Sequence, residues 1–188
     1  MNLPNKLTLL RVALIPVFVA LFYITAIPYN YIISAVVFVI ASSTDFLDGY
    51  IARKRNLVTN LGKFLDPIAD KCLVATALIV MLLPLNTVIL PWYGSIAVAV
   101  IICRELIVSG FRIVAASKGG VLAADKVGKI KTVFQDVGIA VLLAGASIQP
   151  GLYTVINIVG LAILGVATLL TIISGVNYVV KNAGVLKD

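Results

Sequence analysis

The sequence predicts an all-α integral membrane protein of six transmembrane helices with both termini in the cytoplasm. Three observations carry that expectation. The chain is 61% hydrophobic and 12% charged, with a mean hydropathy of +1.11, whereas about a quarter of the residues in a soluble domain are charged. Apolar runs fall roughly at residues 7–27, 30–48, 64–85, 91–116, 130–148 and 152–179, each near the ~20 residues a helix needs to cross the hydrocarbon core. The 15 basic residues avoid the turns between runs one and two, three and four, and five and six. They gather at the opposite ends, which by the positive-inside rule face the cytoplasm. Six spans in 188 residues leave no room for a separate soluble domain, so residues 1–188 are expected to form a single unit.

Taken in order, the first run starts beside Lys6 and Arg11 and contains Pro16. It lacks a small-residue cleavage pattern and reads as a retained span, not a signal peptide. The second run leads into an acidic and basic stretch ending at Arg55, and the third begins among Lys63 and Lys71. Pro28, Pro84, Pro91 and Pro150 mark the uncharged turns, as suits short connections. Arg104, Glu105 and Arg112 lie in the fourth run toward its basic end, and Lys126, Lys129 and Lys131 open the fifth. Gly160, Gly165, Ala167, Ser174 and Gly175 make the sixth rich in small residues, a pattern of close helix packing or a dimer contact. Cys72 and Cys103 lie inside spans without CxxC spacing, which argues against disulfide or zinc-thiolate chemistry.

Four of the eight acidic residues, Asp45, Asp48, Asp66 and Asp70, cluster at the ends of the second and third runs. The i, i+3 and i, i+4 spacings put each pair on one helical face. With Asp45 at zero on a wheel of about 100° per residue, Asp48 falls near roughly 300°, Gly49 near 40°, Ala52 near 340° and Arg53 near 80°. Gly62, Asp66 and Asp70 form a stripe on the next helix. Four aspartates in a span would cost on the order of 10 kcal/mol, so cations must compensate. One account is a solvated helix end paired with Arg53, Lys63 and Lys71. The other is a site for divalent ions, Mg²⁺ or Mn²⁺, which suit all-oxygen ligands. The chain has no histidine, so carboxylates must supply metal binding and proton transfer alike.

The pattern Asp45-x2-Asp48-Gly49-x2-Ala52-Arg53-x8-Gly62-x3-Asp66-x3-Asp70 resembles the signature of the CDP-alcohol phosphatidyltransferase family at every position. The resemblance implies six transmembrane helices around a cytoplasm-facing polar cavity, two divalent ions, and transfer of a phosphatidyl group from CDP-diacylglycerol to an alcohol with release of CMP. It assigns Asp45, Asp48, Asp66 and Asp70 to the metals and makes Asp70 also the base for the attacking hydroxyl. Gly49, Ala52, Arg53 and Gly62 would receive the nucleotide. Asn5 and Thr8, with Arg11, would line its end of the cavity, although helix capping by Asn5 is an equal account. A homodimer in the cell membrane is implied as well, in contact with membrane lipids, and no nucleic-acid partner is expected.

The runs Pro4–Arg11, Arg104–Arg112 and Gly128–Thr132 are similar to those of bacterial members that make phosphatidylglycerol phosphate, which points to glycerol 3-phosphate as acceptor. Its phosphate needs cations. Arg112, Lys129 and Lys131 are the expected ligands, together with Arg104, which is eight residues before Arg112 and so on a similar side of the helix. For the lysines the competing account is anionic-lipid contact, and for Arg112 it is an ion pair with Glu105. Other acceptors within the family remain as alternatives: inositol phosphate, phosphatidylglycerol or serine. From other classes, an intramembrane prenyltransferase would need a longer chain, and a divalent-cation transporter leaves the Gly49, Ala52, Arg53 and Gly62 spacing unexplained.

Overall fold

The computed structural model describes residues 3–55, 60–84, 88–118, 120, 126–148 and 150–186, with backbone alone at 3–4, 45–55, 60–64, 66, 126, 150 and 185–186. Six helices follow one another: α1 Leu3–Tyr23, α2 Asn30–Arg55, α3 Asn60–Leu82, α4 Gly94–Ser117, α5 Lys126–Gly145 and α6 Pro150–Asn182, closed by a short 3-10 turn at Ala183–Leu186. No strand occurs among the described residues. α1 packs on α2 and α3, α2 on α5, α5 on α6, and α6 on α4, which returns to α3.

At the basic end every helix runs further than its apolar run. α2 continues to Arg55 instead of ending near residue 48, and α3 and α5 begin at Asn60 and Lys126, four residues before their runs. At the uncharged end four helices stop short, α1 at Tyr23 and α3 at Leu82 among them. Hydropathy reports membrane thickness, whereas helix ends depend on backbone pairing and turn chemistry. All four aspartates of the acidic stretch therefore lie on regular helix. At the α1–α2 turn, Tyr29 takes a positive φ of 59°, and Asn30 Nδ2 donates to the Phe22 carbonyl at 2.7 Å. That bond satisfies one of the carbonyls a helix end leaves unpaired.

The core between α1, α2, α3 and α5 is built from Phe18, Phe22, Phe38, Leu73, Leu78, Met81, Ile139 and Leu142, all buried. α5 and α6 approach most closely at glycines: a Cβ at Gly160 would lie 2.7 Å from Leu142 Cγ, and one at Gly145 would lie 2.7 Å from Ile156 Cγ2. Of the small residues of α6, Gly160 thus serves helix packing, while Gly165 has nothing within 4 Å of its missing side chain. Large apolar residues also cover the outside, including Val36, Ile79, Ile113, Leu169 and Val180. A surface of this kind suits lipid, since soluble monomers rarely expose large contiguous apolar patches. Asn5–Tyr23 and Gly151–Asn182 are each long and apolar enough to cross a membrane.

Candidate active site

Asp45, Asp48, Gly49, Ala52 and Arg53 occupy the last three turns of α2, and Gly62, Asp66 and Asp70 the first three of α3. Because both segments are unbroken helix, each aspartate pair shares one helical face. α2 and α3 are also in contact. The side chains of Asp45, Asp48, Gly49, Ala52, Arg53, Gly62 and Asp66 lie outside the described residues. Asp70 is the member of the quartet whose side chain is described, and it is half-buried.

α1 supplies a buried cation at the root of the motif. Arg11 is 0% exposed, and its Nε donates to the Ala41 carbonyl at 3.1 Å and to Thr44 Oγ1 at 3.3 Å. Thr44 Oγ1 in turn donates to the Ala41 carbonyl at 2.6 Å. Thr44 immediately precedes Asp45, so a guanidinium is fixed next to the first acidic turn, as an intramembrane cluster of carboxylates requires. Asn5 and Thr8 are buried on α1 at successive three-residue steps before Arg11. They line neither of the two cavities that meet at Asp70.

The first of those cavities, about 200 Å³ in volume, is polar and strongly basic. Lys71, Arg104, Arg112 and Lys129 line it beside Asp70, together with Gly128, Thr132 and Tyr178. Helices α3, α4 and α5 each contribute at least one cation. The Arg112 guanidinium lies 6.0 Å from the centre of the Tyr178 ring, a cation–π placement. Arg104 and Arg112 do share one side of α4, as their spacing implies.

The second cavity, about 170 Å³, shares Asp70, Lys71, Glu105 and Thr132 with the first but continues among Val74, Ala75, Ile101, Ile102 and Leu106. Between the two stands Glu105. Its Oε1 accepts from Arg104 Nη1 at 3.0 Å and from Lys131 Nζ. Lys71 Nζ donates to Ser109 Oγ, which donates to the Glu105 carbonyl at 2.6 Å. Lys131 is 1% exposed and lines the second cavity, not the first. This placement differs from the expectation of a phosphate ligand beside Lys129. Two residues on a helix are about 200° apart, so Lys129 and Lys131 cannot point the same way. Glu105, expected to be a structural partner of Arg104 or Arg112, takes Arg104 and, in addition, Lys131.

Sequence reasoning missed Lys71, which follows the last aspartate directly and borders both cavities. Its place on the helix stripe adjacent to Asp70 was the available signal. Tyr178 and Ser174 of α6 carry none, because they reach the site through packing across more than sixty residues of chain.

A family model described as CDP-alcohol phosphatidyltransferase matches residues 1–176. The chain belongs to the CDP-alcohol phosphatidyltransferase family. Among curated relatives of this family, a CDP-diacylglycerol–glycerol-3-phosphate 3-phosphatidyltransferase of Bacillus subtilis is 43% identical over 99% of this chain and 97% of its own length. Proteins of the same name from Rickettsia bellii, 44% identical over 94% of this chain and 93% of their own, and from Salmonella typhimurium, 37% identical over 100% and 98%, are similar along the same extent. The Asp70 cavity is therefore a cavity of a phosphatidyltransferase, and its charges can be read against that chemistry.

Proposed function

We propose that this chain transfers the phosphatidyl group of CDP-diacylglycerol to sn-glycerol 3-phosphate, giving phosphatidylglycerol phosphate and CMP. One observation carries the choice of acceptor: Asp70 shares a cavity with four cations, Lys71, Arg104, Arg112 and Lys129. A carboxylate that accepts a hydroxyl proton needs the hydroxyl end of the substrate, and the cations need its anionic end. Glycerol 3-phosphate has both, whereas serine has no phosphate to occupy so basic a chamber. The activity named for the Bacillus subtilis and Rickettsia bellii relatives agrees with this reading.

In the reaction the primary hydroxyl oxygen of the acceptor bonds to the lipid-side phosphorus. The bond from that phosphorus to the bridging oxygen of CMP breaks, and Asp70 takes the hydroxyl proton. Arg104, Arg112 and Lys129 hold the acceptor phosphate, and Lys71 adds positive charge where the two substrates meet. Gly49, Ala52, Arg53 and Gly62 form the nucleotide side, with Asn5 and Thr8 behind them on α1. Lys131 acts on the acceptor side through Glu105. Asp45, Asp48, Asp66 and Asp70 are an all-carboxylate donor set on two packed helices, which fits hard divalent ions. Two such ions, Mg²⁺ or Mn²⁺, would there neutralise the pyrophosphate and polarise the bond being broken.

The enzyme is a single domain of six spans over residues 1–188, a homodimer in the cell membrane with its termini and cavity on the cytoplasmic side. The apolar outer faces and the one-sided distribution of Lys and Arg support that topology. Purified protein in detergent, offered CDP-diacylglycerol with glycerol 3-phosphate, inositol phosphate, phosphatidylglycerol or serine in turn, tests the assignment by CMP release. Turnover is expected with glycerol 3-phosphate, lost on chelation and restored by Mg²⁺ or Mn²⁺. Faster turnover with another acceptor refutes the choice. Ion flux in liposomes without CMP release refutes the reaction.

A further inference from the structure

Resting on the acceptor reading above, we propose that Ser174 and Gly175 of α6 are positioning residues that hold Arg104 in its phosphate-binding orientation. Neither residue lines the basic cavity; both act through the arginine. A Cβ at position 175 would lie 2.9 Å from Arg104 Cγ, so the arginine stem crosses the α6 backbone where only glycine leaves room. On the other side a Cβ at Gly128 of α5 would lie 3.4 Å from Arg104 Nη2. Arg104 is thus threaded between α5 and α6.

Its head is fixed as well as its stem. Nη2 donates to Ser174 Oγ at 3.1 Å, and the Ser174 side chain is itself 0% exposed. Nη1 donates to Glu105 Oε1 at 3.0 Å. The remaining nitrogen, Nε, is buried and has no hydrogen-bond partner among the described residues. A buried donor without a partner is costly, and a guanidinium edge matches two oxygens of a phosphate. The clamp therefore uses one N–H of each terminal nitrogen for orientation and leaves the second N–H of both for an anion in the basic cavity that Arg104 lines. Gly165, three turns earlier on α6, meets nothing within 4 Å, which separates this role from a general need for small residues along the helix.

The test compares wild type with Gly175→Ala, Ser174→Ala and, as control, Gly165→Ala, in one detergent, varying glycerol 3-phosphate and CDP-diacylglycerol separately. Gly175→Ala is expected to raise the KM for glycerol 3-phosphate about tenfold and Ser174→Ala about threefold, the scale of one charge-assisted hydrogen bond misplaced or lost. The KM for CDP-diacylglycerol and kcat should stay within about twofold, and Gly165→Ala should match wild type. Should Gly175→Ala fail to fold, Ser174→Ala, which adds no atoms, decides the matter. An unchanged acceptor KM in the folded variants, or equal rises in both KM values, overturns the clamp. A wild type that uses another acceptor and not glycerol 3-phosphate overturns the acceptor reading instead.

Discussion

The acidic motif and the basic cavity meet at Asp70 but are built by different means. The acidic side comes from two consecutive helices, each carrying its aspartates one turn apart, so its geometry follows from helical repeat alone. The basic side draws four long side chains from α3, α4 and α5, and three of them are held by different devices. Lys71 donates to Ser109, Arg104 lies between Glu105 and Ser174, and Arg112 lies over Tyr178. Chemistry at a phosphorus atom requires short side chains at fixed positions, whereas recognition of a distant phosphate tolerates long ones that are tethered after the helices have packed. Substitutions on the acidic side should therefore act on kcat, and those on the basic side on acceptor KM or on stability.

The largest effect is expected at the junction. Asp70→Asn keeps the shape of the side chain but removes the charge and the proton acceptor, and should lower CMP release by about 10³-fold or more. Size-exclusion behaviour in detergent should be unchanged. Substantial metal-dependent activity in this variant would break the assignment of the base.

Next comes Glu105→Gln. Lys131 is 1% exposed and Glu105 22%, so removing the carboxylate charge leaves a buried ammonium and part of a guanidinium uncompensated. Breaking such a pair costs about 3 kcal/mol, visible as a lower apparent Tm in a fixed detergent. Adding Lys131→Met should recover part of that loss, since replacing both partners removes the uncompensated charge. A double variant no more stable than the single one would show that Lys131 does not depend on Glu105.

Arg112→Gln and Lys129→Gln should each raise the KM for glycerol 3-phosphate about tenfold, the lower range for a hydrogen bond to a charged group, because both side chains are partly open to solvent. The KM for the lipid donor should not follow. Equal rises would place these cations at the pyrophosphate and erase the distinction between the two sides.

What could be read from the sequence divides along the same line. The eight positions from Asp45 to Asp70 are local, so spacing disclosed the helices that carry them, and the six apolar runs each found a helix. The spacing of Arg104 and Arg112 was equally legible. That Lys129 and Lys131 diverge was implied by helical angle and could have been found. That Glu105 takes Lys131 as well as Arg104 depends on where the fold brings α5 relative to α4. Arg11 was expected with Asn5 and Thr8 at the nucleotide end of the cavity, but its bonds to Ala41 and Thr44 of α2 were not legible. The bonds of Lys131 and Arg11 join residues 26 to 33 apart, and helical periodicity carries no information about them.

The smallest expected effect separates packing from chemistry on α6. Gly160→Ala and Gly165→Ala gain the same helix propensity, up to about 1 kcal/mol. At Gly160 the new methyl would lie 2.7 Å from Leu142 Cγ, 2.8 Å from Cδ2 and 3.3 Å from its backbone nitrogen. Leu142 is 0% exposed in the core and cannot swing aside without disturbing its neighbours, so α5 and α6 must separate, at a cost of about 1–3 kcal/mol. The net change at Gly160 is therefore a small loss of stability, set against no loss or a slight gain at Gly165. Comparing the two apparent Tm values cancels the propensity term and leaves the helix contact. Since neither glycine touches Arg104, both variants should keep the wild-type acceptor KM, unlike Gly175→Ala on the same helix. Loss of acceptor affinity in Gly160→Ala would mean that α5–α6 separation itself carries the acceptor site, making the basic side a property of the whole helix pair instead of its individual tethers.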